Sequence, residues 1–509
     1  MLDLETTSGV TSPKRLRLEP RVESPFDHAL PTVLGQWIRL SSELEKASSD
    51  FGKIEYQRPA VVLRPACVED VAIALRYASE HGIAISARGD AHSAGGQMLV
   101  DGGIVIDMTA LNRVHTLSKR RIVVDAGISW RALLERTFAC GLTPPVLTDW
   151  VDVTVGGTLS MGGLGFSSFW QGTQMDHVLE LEVVTGLGER LICSPTQNPE
   201  LFNAVRGTHG QIALIVRATI PLEVAPASVR VTQAAYDDAD LLMRDLRGAI
   251  SSRKADMVHA LAAPRTREAL TTRLNSRDPM RVDERIVDEV LEDTSSPWVY
   301  QLEVADPVWP GRPNHHPVSA TPAAIRGLRD TWEMSFSDFV FRIPPLIAEE
   351  AERGAAPHPE LILWVPEPAI EPLVVDAFDQ LDPVADIGEG PVLIFGLRKS
   401  TVSAPYYQLP DTSDLSIFFG LLRRAEPITA ERVEELREDN ENRYAEARQH
   451  GAGRYVCDTP PTQRDRAAEF WPQHFGDAWE SLCRDKQTYD PAGVFRSSWG
   501  AVAPRGGAR

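Results

Sequence analysis

Hydrophobic and polar positions in the first third of the chain follow the pattern of a βαβ unit. The β-branched run "AVVLRP" begins at Ala60, and "VEDVAIALRYASEHG" then repeats apolar residues at helical spacing as far as Gly82. The short apolar run "IAIS" follows as a second strand, and a glycine-rich turn comes directly after it. The pattern therefore predicts a strand, a helix and a strand that lead into this turn.

Two further glycine-rich segments follow along the chain. Residues 147–172 read "LTDWVDVTVGGTLSMGGLGFSSFWQG", and "RGTHGQIALIVRATIPL" carries a third glycine turn into an apolar strand. Between them, "HVLELEVVTGLGERLICS" predicts a hairpin around Gly186 and Gly188. The region up to residue 225 is thus predicted to be α+β with three glycine turns.

The pattern changes after residue 225. Charged, helix-like segments alternate with predicted strands such as "HPELILWVP" and "GPVLIFGL". The segment "TAERVEELREDNENRYAEARQHGAG" predicts a helix with a solvated charged face that glycine ends. A last helix, in "HFGDAWESLCRDKQTYDP", is closed by Asp490 and Pro491. We predict an α+β fold with two domains.

Charge and cysteine content narrow the classes of partner. The 52 basic and 71 acidic residues give a formal charge of −19, which repels nucleic acid and anionic lipid, and we expect neither as a partner. The five cysteines lack CxxC spacing, which argues against a disulfide framework and a zinc cluster. We find no apolar signal core and no run of membrane-spanning length, so we expect a cytoplasmic protein without a metal site.

Glycine turns can bring backbone N–H groups together around a phosphate. However, no G-x-G-x-x-G opens a helix after the first strand, and no GxxxxGK[ST] motif occurs. Tight hairpins use the same residues. Taken alone, the glycine turns do not distinguish between binding of a nucleotide-type ligand and a purely structural role.

Four segments together resemble a known family: "ARGDAHSAGGQ", "GGIVIDMTAL", "LTDWVDVTVGGTLS" and "VLELEVVTGLGE". They are similar to the FAD domain of the vanillyl-alcohol oxidase superfamily, and most of all to its cytokinin dehydrogenase branch. The R-G-x-G-H-S turn of that family corresponds here to residues 88–93, its T-D-Y and T-V-G-G-T-L-S segments to residues 148–150 and 154–160, and its G-x-x-G-Q turn to residues 207–211. Later segments, among them "HPELILWVP" and "FFGLLRRA", extend the resemblance to about residues 50–495.

The resemblance implies an architecture and a cofactor. Residues 1–50 form a tail and leading segment, and residues 51–225 form a two-lobed PCMH-type FAD-binding domain. Residues 226–460 form an α+β substrate-binding cap domain over the isoalloxazine, and residues 461–509 return to the FAD domain. The implied activity is that of an oxidase or dehydrogenase that takes a hydride from a small molecule and passes electrons to oxygen or a quinone.

The resemblance also gives His92 a role. The family's turn histidine is bonded covalently to the 8α-methyl group of the flavin, and a neutral imidazole nitrogen is a suitable nucleophile for that attachment. The alternative is a turn histidine that is hydrogen-bonded to backbone. Related sugar oxidases form a second bond through a cysteine near position 152, where this chain has Asp152, so a single attachment is expected.

Asp149 matches the carboxylate that binds the substrate nitrogen in cytokinin dehydrogenases. A carboxylate that accepts the N–H proton helps hydride leave the adjacent carbon. The alternative is a turn-capping aspartate after Pro144 and Pro145. The resemblance places the other cofactor contacts at Ala87, Arg88, Gly89, Asp90, Ala91, Ser93, Gln97, Thr154, Gly156, Gly157, Ser160, Leu164, Leu214, Ile215, Tyr455 and Trp499.

The chain departs from the family where substrate specificity is expected to be decided. Glu360 and Ile362 replace a tryptophan and an asparagine, and Val456 stands in the altered Y-L-P segment. Ala91 replaces the second glycine of the histidine turn, and Trp499 lies where the family has a G-Q pair. We therefore keep three hypotheses: amine oxidation of the cytokinin type, oxidation or oxidative cyclisation of another metabolite, and flavin binding without turnover.

Overall fold

Two sheets form the first half of the molecule. The computed structural model describes residues 28–252, 255–274, 278–293, 295–309, 311, 321–343, 356–388, 390–457 and 464–496. The first sheet has the order β1-β2-β4-β3, with β2 and β3 parallel to β4 and β1 antiparallel to β2. Its strands are β1 (Gln36–Ile38), β2 (Val61–Arg64), β3 (Ile85–Arg88) and β4 (Ile104–Asp107).

The predicted βαβ unit is present. The helix Val68–His81 joins β2 to β3 and ends at Gly82, which has a φ of 66°. Val71, Leu75 and Ala78 are spaced as one helical face and are buried against the first sheet. The apolar periodicity of this segment therefore predicts both the helix and the face that it buries.

The second sheet is antiparallel with the order β5-β6-β10-β8-β9. Its strands are β5 (Val114–Leu117), β6 (Arg121–Asp125), β8 (Glu180–Thr185), β9 (Arg190–Cys193) and β10 (Ala213–Pro221). The predicted hairpin is the pair β8–β9. Leu214 and Val216 of β10 lie in one buried cluster with Ile85 and Ile106, so the two sheets share a core. A separate two-stranded pair joins β7 (Leu142–Thr143) to β11 (Glu223–Val224).

Short helices connect these strands. The helices are Ser41–Lys46, Val68–His81, Trp130–Phe138, Val155–Met161, Ser168–Gln171, Gln174–His177 and Pro199–Val205, with a 3-10 turn at Met108–Ala110. Thr154 caps the helix Val155–Met161, because its Oγ1 accepts the backbone N–H of Gly157 at 3.3 Å.

An eight-stranded antiparallel sheet forms the second half, with the order β15-β12-β14-β13-β17-β18-β16-β19. Its strands are β12 (Ser228–Tyr236), β13 (Met257–Pro264), β14 (Trp298–Val308), β15 (Arg329–Ser335), β16 (Leu361–Pro366), β17 (Val392–Arg398), β18 (Leu415–Leu421) and β19 (Gly453–Arg454). The predicted strands "HPELILWVP" and "GPVLIFGL" are β16 and β17. Leu242, Leu246 and Ile250 of the helix Ala239–Ser252 share a buried cluster with apolar side chains of this sheet.

Further helices accompany the large sheet. They are Ala239–Ser252, Arg267–Thr271, Glu284–Glu292, Phe336–Phe341, Ala377–Gln380 and Ala430–Gln449, with 3-10 turns at Glu367–Ala369 and Lys399–Thr401 and a π-helical turn at Glu371–Val375. The helix Ala430–Gln449 is the charged helix predicted from the sequence, and its buried residues are Leu436, Asn440 and Ala447.

The C-terminal part of the described chain ends against the first sheet. The helices Arg464–Phe475 and Trp479–Tyr489 flank a 3-10 turn at Gly476–Ala478. Beyond them, the backbone N–H of Ile85 donates to the carbonyl of Val494 at 2.7 Å, and Ile85 forms a parallel bridge with Phe495. The fold is α+β, as predicted. Among the described helices, none has the length and apolarity needed to cross a membrane.

Candidate active site

A cavity of about 590 Å³ collects residues from both halves of the fold. Its wall includes parts of β3 and β10 from the first two sheets and parts of β13, β17 and β18 from the large sheet. All three glycine-rich segments reach it, through residues 89–93, 156–164 and 209–211. The segments that the sequence singled out separately therefore meet at one place.

The first glycine turn lines the cavity and contains a residue with a strained backbone conformation. Ala91 has a φ of 64°, the left-handed conformation that glycine adopts most easily, and its carbonyl accepts the backbone N–H of Phe51 at 2.8 Å. A Cβ atom at Gly89 would lie 2.3 Å from Oγ1 of Thr154. The backbone of the first glycine-rich segment is therefore in close contact with a side chain of the second. The alanine thus keeps the turn in the conformation expected of the glycine that it replaces.

His92 lies within an aromatic cluster on the cavity wall. Its ring stacks on Trp150, with centroids 4.6 Å apart, and contacts Phe51 at 4.9 Å. The imidazole has accessible surface inside the cavity, yet it is surrounded by protein, and this burial lowers the pKa of His92 to about 4. The ring is therefore neutral at neutral pH. It makes no hydrogen bond to any residue that the structure describes, unlike the turn-stabilising histidine of the alternative interpretation.

Asp149 lies on the same wall, just before the capped helix Val155–Met161. Burial raises the pKa of Asp149 well above its ordinary value, the nearby Arg342 opposes this effect, and Glu303 adds to it. Within the described residues its carboxylate has no hydrogen-bond partner, so the structure gives it no turn-capping role.

Residues of the large sheet complete the cavity with a largely apolar surface. His259 and Leu261 are two residues apart on β13 and so share one face, as do Leu393 and Phe395 on β17. The ring of Phe166 stacks flat on His259, with centroids 3.6 Å apart. Sequence reasoning missed His259, although a histidine inside an otherwise apolar strand is a usable signal.

The third glycine turn forms another part of the wall. His209 has a φ of 56°, and its Nδ1 lies 3.1 Å from the sulfur of Met161. Lys486 donates from Nζ to the carbonyl of Gln211 at 2.7 Å and forms a buried ion pair with Asp490. The C-terminal helix thereby fixes the position of the turn. Sequence reasoning missed this anchor as well.

Comparisons with known proteins agree with this geometry. Residues 59–194 match the model of an FAD binding domain, and residues 226–498, more than half of the chain, match the model described as cytokinin dehydrogenase 1, FAD and cytokinin binding. The chain belongs to the cytokinin dehydrogenase family. It is an FAD-binding oxidoreductase.

Several curated relatives align over most of their length. An uncharacterized oxidoreductase, ORF5 in the fasciation locus of Rhodococcoides fascians, is 31% identical over 461 residues, which cover 90% of this chain and 97% of that protein. Cytokinin dehydrogenase 8 of Oryza sativa subsp. indica is 31% identical over 530 residues, covering 95% and 94%. Cytokinin dehydrogenase 3 of Arabidopsis thaliana is 30% identical over 489 residues, covering 90% and 88%.

The residues on the cavity wall fit the cofactor of this family. Nε1 of Trp150 and Oε1 of Gln211 are buried without hydrogen-bond partners in the described part of the chain, and both residues line the cavity. A Cβ atom at Gly156 would lie 2.9 Å from that of Ala126, so the backbone leaves no space for a side chain there. Unused polar atoms and close-packed glycine backbone suit a large ligand that combines polar groups with a flat ring.

Most of the predicted site residues line the cavity. They are Ala87, Gly89, Asp90, Ala91, His92, Ser93, Gln97, Asp149, Thr154, Gly156, Gly157, Ser160, Leu164, Leu214, Ile215, Glu360 and Tyr455.

Three predicted residues lie elsewhere. Arg88 donates from Nη1 to the carbonyl of Ser49 at 2.8 Å. Ile362 is buried in an apolar cluster with Trp364, and Val456 is buried while its carbonyl accepts Nε2 of Gln97 at 2.8 Å. None of the three is among the cavity-lining residues of the described chain. Trp499 lies outside the described residues.

Proposed function

We propose that this family member oxidises a small amine at a carbon–nitrogen bond, with FAD attached once, through His92. Bound FAD supplies the two-electron acceptor for the hydride that leaves the substrate carbon. One observation carries the proposal: the neutral His92 ring and the half-buried Asp149 carboxyl group lie on the wall of a single cavity together with all three glycine turns.

Asp149 is the proposed proton acceptor. Its carboxylate has no hydrogen-bond partner among the described residues, so a substrate N–H can occupy that position. Burial raises its pKa, which makes the ionised form a stronger base than an exposed carboxylate. The oxygen of Asp149 then accepts the proton as the carbon–nitrogen bond is oxidised.

His92 is the proposed attachment point. Burial keeps its imidazole neutral, so a ring nitrogen retains the lone pair that a covalent bond to the flavin requires. The stacking on Trp150 holds the ring in one orientation. Position 152 is occupied by an aspartate that pairs with Arg131, which supports a single attachment. Oxygen or a quinone is the proposed acceptor of the electrons.

The substrate pocket favours an apolar group beside the reacting nitrogen. Leu261, Leu393, Phe395 and Phe418 supply the apolar wall. Glu360 lines the same cavity, at the position where the family has an aromatic residue. This carboxylate favours the second candidate function, which is oxidation or oxidative cyclisation of a metabolite other than a cytokinin. Binding of flavin without turnover is the third, and Asp149 argues against it.

Anaerobic mixing of the flavin-loaded protein with N6-isopentenyladenine, and separately with a panel of amine metabolites, tests the proposal. We expect loss of the oxidised-flavin absorbance with at least one compound, and slowing by roughly 10²–10⁴-fold in Asp149→Asn. Asp152→Asn is the matched control, since Asp152 is three residues further on and pairs with Arg131 instead of lining the cavity. Equal rates in Asp149→Asn and Asp152→Asn would contradict the role of Asp149. Reduction by another amine but not by N6-isopentenyladenine would support the second candidate.

A further inference from the structure

Residues 49–52, which precede β2, lie along the segment that carries His92, and the proposed function gives them no task. Three hydrogen bonds join the two segments: from Nη1 of Arg88 to the carbonyl of Ser49 at 2.8 Å, from the backbone N–H of Phe51 to the carbonyl of Ala91 at 2.8 Å, and from the backbone N–H of Gly96 to Oδ2 of Asp50 at 2.6 Å. A Cβ atom at Gly52 would lie 2.2 Å from the carbonyl oxygen of Ala94, so the two backbones are in close contact. The chain on both sides of His92 is therefore held by residues 49–52.

The side chain of Phe51 contacts two histidine rings. Its ring centroid is 4.9 Å from that of His92, with the planes inclined at 45°, and 4.3 Å from that of His358, with the planes at 25°. All three side chains line the cavity. The backbone N–H of His358 also donates to the carbonyl of Gly52 at 2.9 Å. Phe51 thus links His92 to the chain that leads into β16 of the large sheet.

Packing decides how the His92 ring is oriented. The second side-chain torsion of a histidine has broad energy minima, so neighbouring groups determine where the ring settles. The ring makes no hydrogen bond to any residue that the structure describes, and in the same part of the chain its aromatic contacts are Trp150 and Phe51. These two rings are inclined to the imidazole by different angles, 25° and 45°. Together they restrict its rotation more than either ring could alone.

We propose that Phe51 is a positioning residue for His92, which holds the imidazole at the angle that bond formation to the flavin requires. This role rests on the proposed attachment through His92. Attachment joins a ring nitrogen to the 8α-methyl carbon of FAD. One proton leaves the methyl carbon and one leaves the imidazole, and the two electrons released pass to oxygen or a quinone, the proposed acceptor. Because the nitrogen lone pair must point at the methyl carbon, a small rotation of the ring slows the reaction.

The rate of attachment at saturating FAD separates positioning of the ring from binding of the cofactor. Full-length apoprotein from riboflavin-starved cells is mixed with FAD, and the flavin fluorescence of the acid-precipitated chain is followed with time. Phe51→Leu keeps an apolar side chain but removes the ring. We expect attachment to slow by about 10–100-fold, while the FAD concentration that gives half the maximal rate changes by less than about threefold. Phe51→Tyr keeps the ring and is expected to attach FAD at close to the wild-type rate.

Phe138→Leu is the matched control. Phe138 is also half-buried and also contacts aromatic rings of the second half of the fold, those of Phe336 at 5.5 Å and Phe341 at 5.7 Å. It does not line the cavity. Its replacement disturbs the packing between the two halves without removing a neighbour of His92, so we expect attachment at close to the wild-type rate.

Slow attachment in Phe51→Leu, with rates close to wild type in Phe51→Tyr and Phe138→Leu, supports the inference. Equal rates in Phe51→Leu and Phe51→Tyr overturn it, and so does weaker FAD binding that accounts for the whole loss in Phe51→Leu. If Phe51→Leu does not fold, His358→Leu decides, because it removes the other ring that Phe51 contacts. Attachment slower in His358→Leu than in Phe138→Leu then supports the inference, and equal rates overturn it.

Failure of the proposed attachment is distinguishable, because it appears in other variants. A wild-type chain that binds FAD without attaching it, or a His92→Ala variant that still attaches it, contradicts attachment through His92 whatever Phe51→Leu shows. Attachment that requires His92 but proceeds equally fast in Phe51→Leu and in the wild type overturns only the role of Phe51.

Discussion

The ion pair beneath the third glycine turn gives a quantitative prediction for stability. Nζ of Lys486 is 2.7 Å from Oδ2 of Asp490, and the two side chains are 1% and 0% exposed. Nζ also donates to the carbonyls of Gln211, at 2.7 Å, and Phe495, at 3.0 Å. All three donors of the ammonium group are thus used inside the protein.

Lys486→Met removes this cation while keeping most of the side-chain volume. It leaves the Asp490 carboxylate buried without a counter-charge and two carbonyls without their lysine donor. Breaking a buried pair from one side costs about 3–5 kcal/mol, and we expect that loss in the free energy of unfolding. Because Gln211 lines the cavity, we also expect a lower content of bound flavin in this variant.

Urea unfolding followed by tryptophan fluorescence and by flavin absorbance measures both effects. Lys46→Met is the matched control, since Lys46 pairs with Glu43 at 2.9 Å but is 75% exposed, and its loss is expected to cost less than about 1 kcal/mol. The double variant Lys486→Met/Asp490→Asn is expected to recover part of the loss because it removes the orphaned charge. A Lys486→Met variant as stable as Lys46→Met would refute the reasoning.

Two further predictions concern the first glycine turn. Gly89→Ala places a Cβ atom 2.3 Å from Oγ1 of Thr154, so we expect the free energy of unfolding to fall by about 1–3 kcal/mol and the flavin content to fall as well. Gly248→Ala, whose Cβ atom meets open space, is the control in the same thermal melts. Equal stability of the two variants would count against the contact at Gly89. Burial raises the pKa of Asp50 from 3.8 to about 6, so the folded protein binds this proton more tightly than the unfolded chain, and stability is lost as pH rises through that window. Asp50→Asn removes this titration. As the pH rises from 4 to 8, the free energy of unfolding of this variant, measured in urea titrations, is expected to increase relative to that of the wild type by up to about 3 kcal/mol. A difference that does not change with pH would contradict this assignment.

Local patterns predict much of the first half of the fold. The helix Val68–His81 and the hairpin β8–β9 follow from apolar periodicity and glycine position, because both are formed by contacts close in sequence. The glycine segments bring His92 and Asp149 to one cavity, as the family resemblance implies. Arg88 could not be placed in this way: Ala87 lines the cavity, whereas the guanidinium of Arg88 at the end of the same strand donates to the carbonyl of Ser49.

The substrate side could not be predicted in the same way. All six residues of β16 are buried, and none of them is among the residues that line the cavity. Because no polar position alternates along this strand, the sequence does not indicate that Ile362 packs with Trp364 in an apolar cluster. The approach of His259 and Arg342 to Glu303 depends on strand pairing and loop packing over long separations in sequence. Such contacts leave no local signature in any one segment.

The visible spectrum of the purified protein, before and after acid precipitation, is the sharpest test of FAD attachment through His92. We predict that flavin absorbance stays with the precipitated wild-type chain and passes to the supernatant in His92→Ala. Release of the colour from the wild type would contradict the covalent attachment through His92. A colourless protein that FAD cannot reconstitute would contradict the assignment of the cavity to this cofactor.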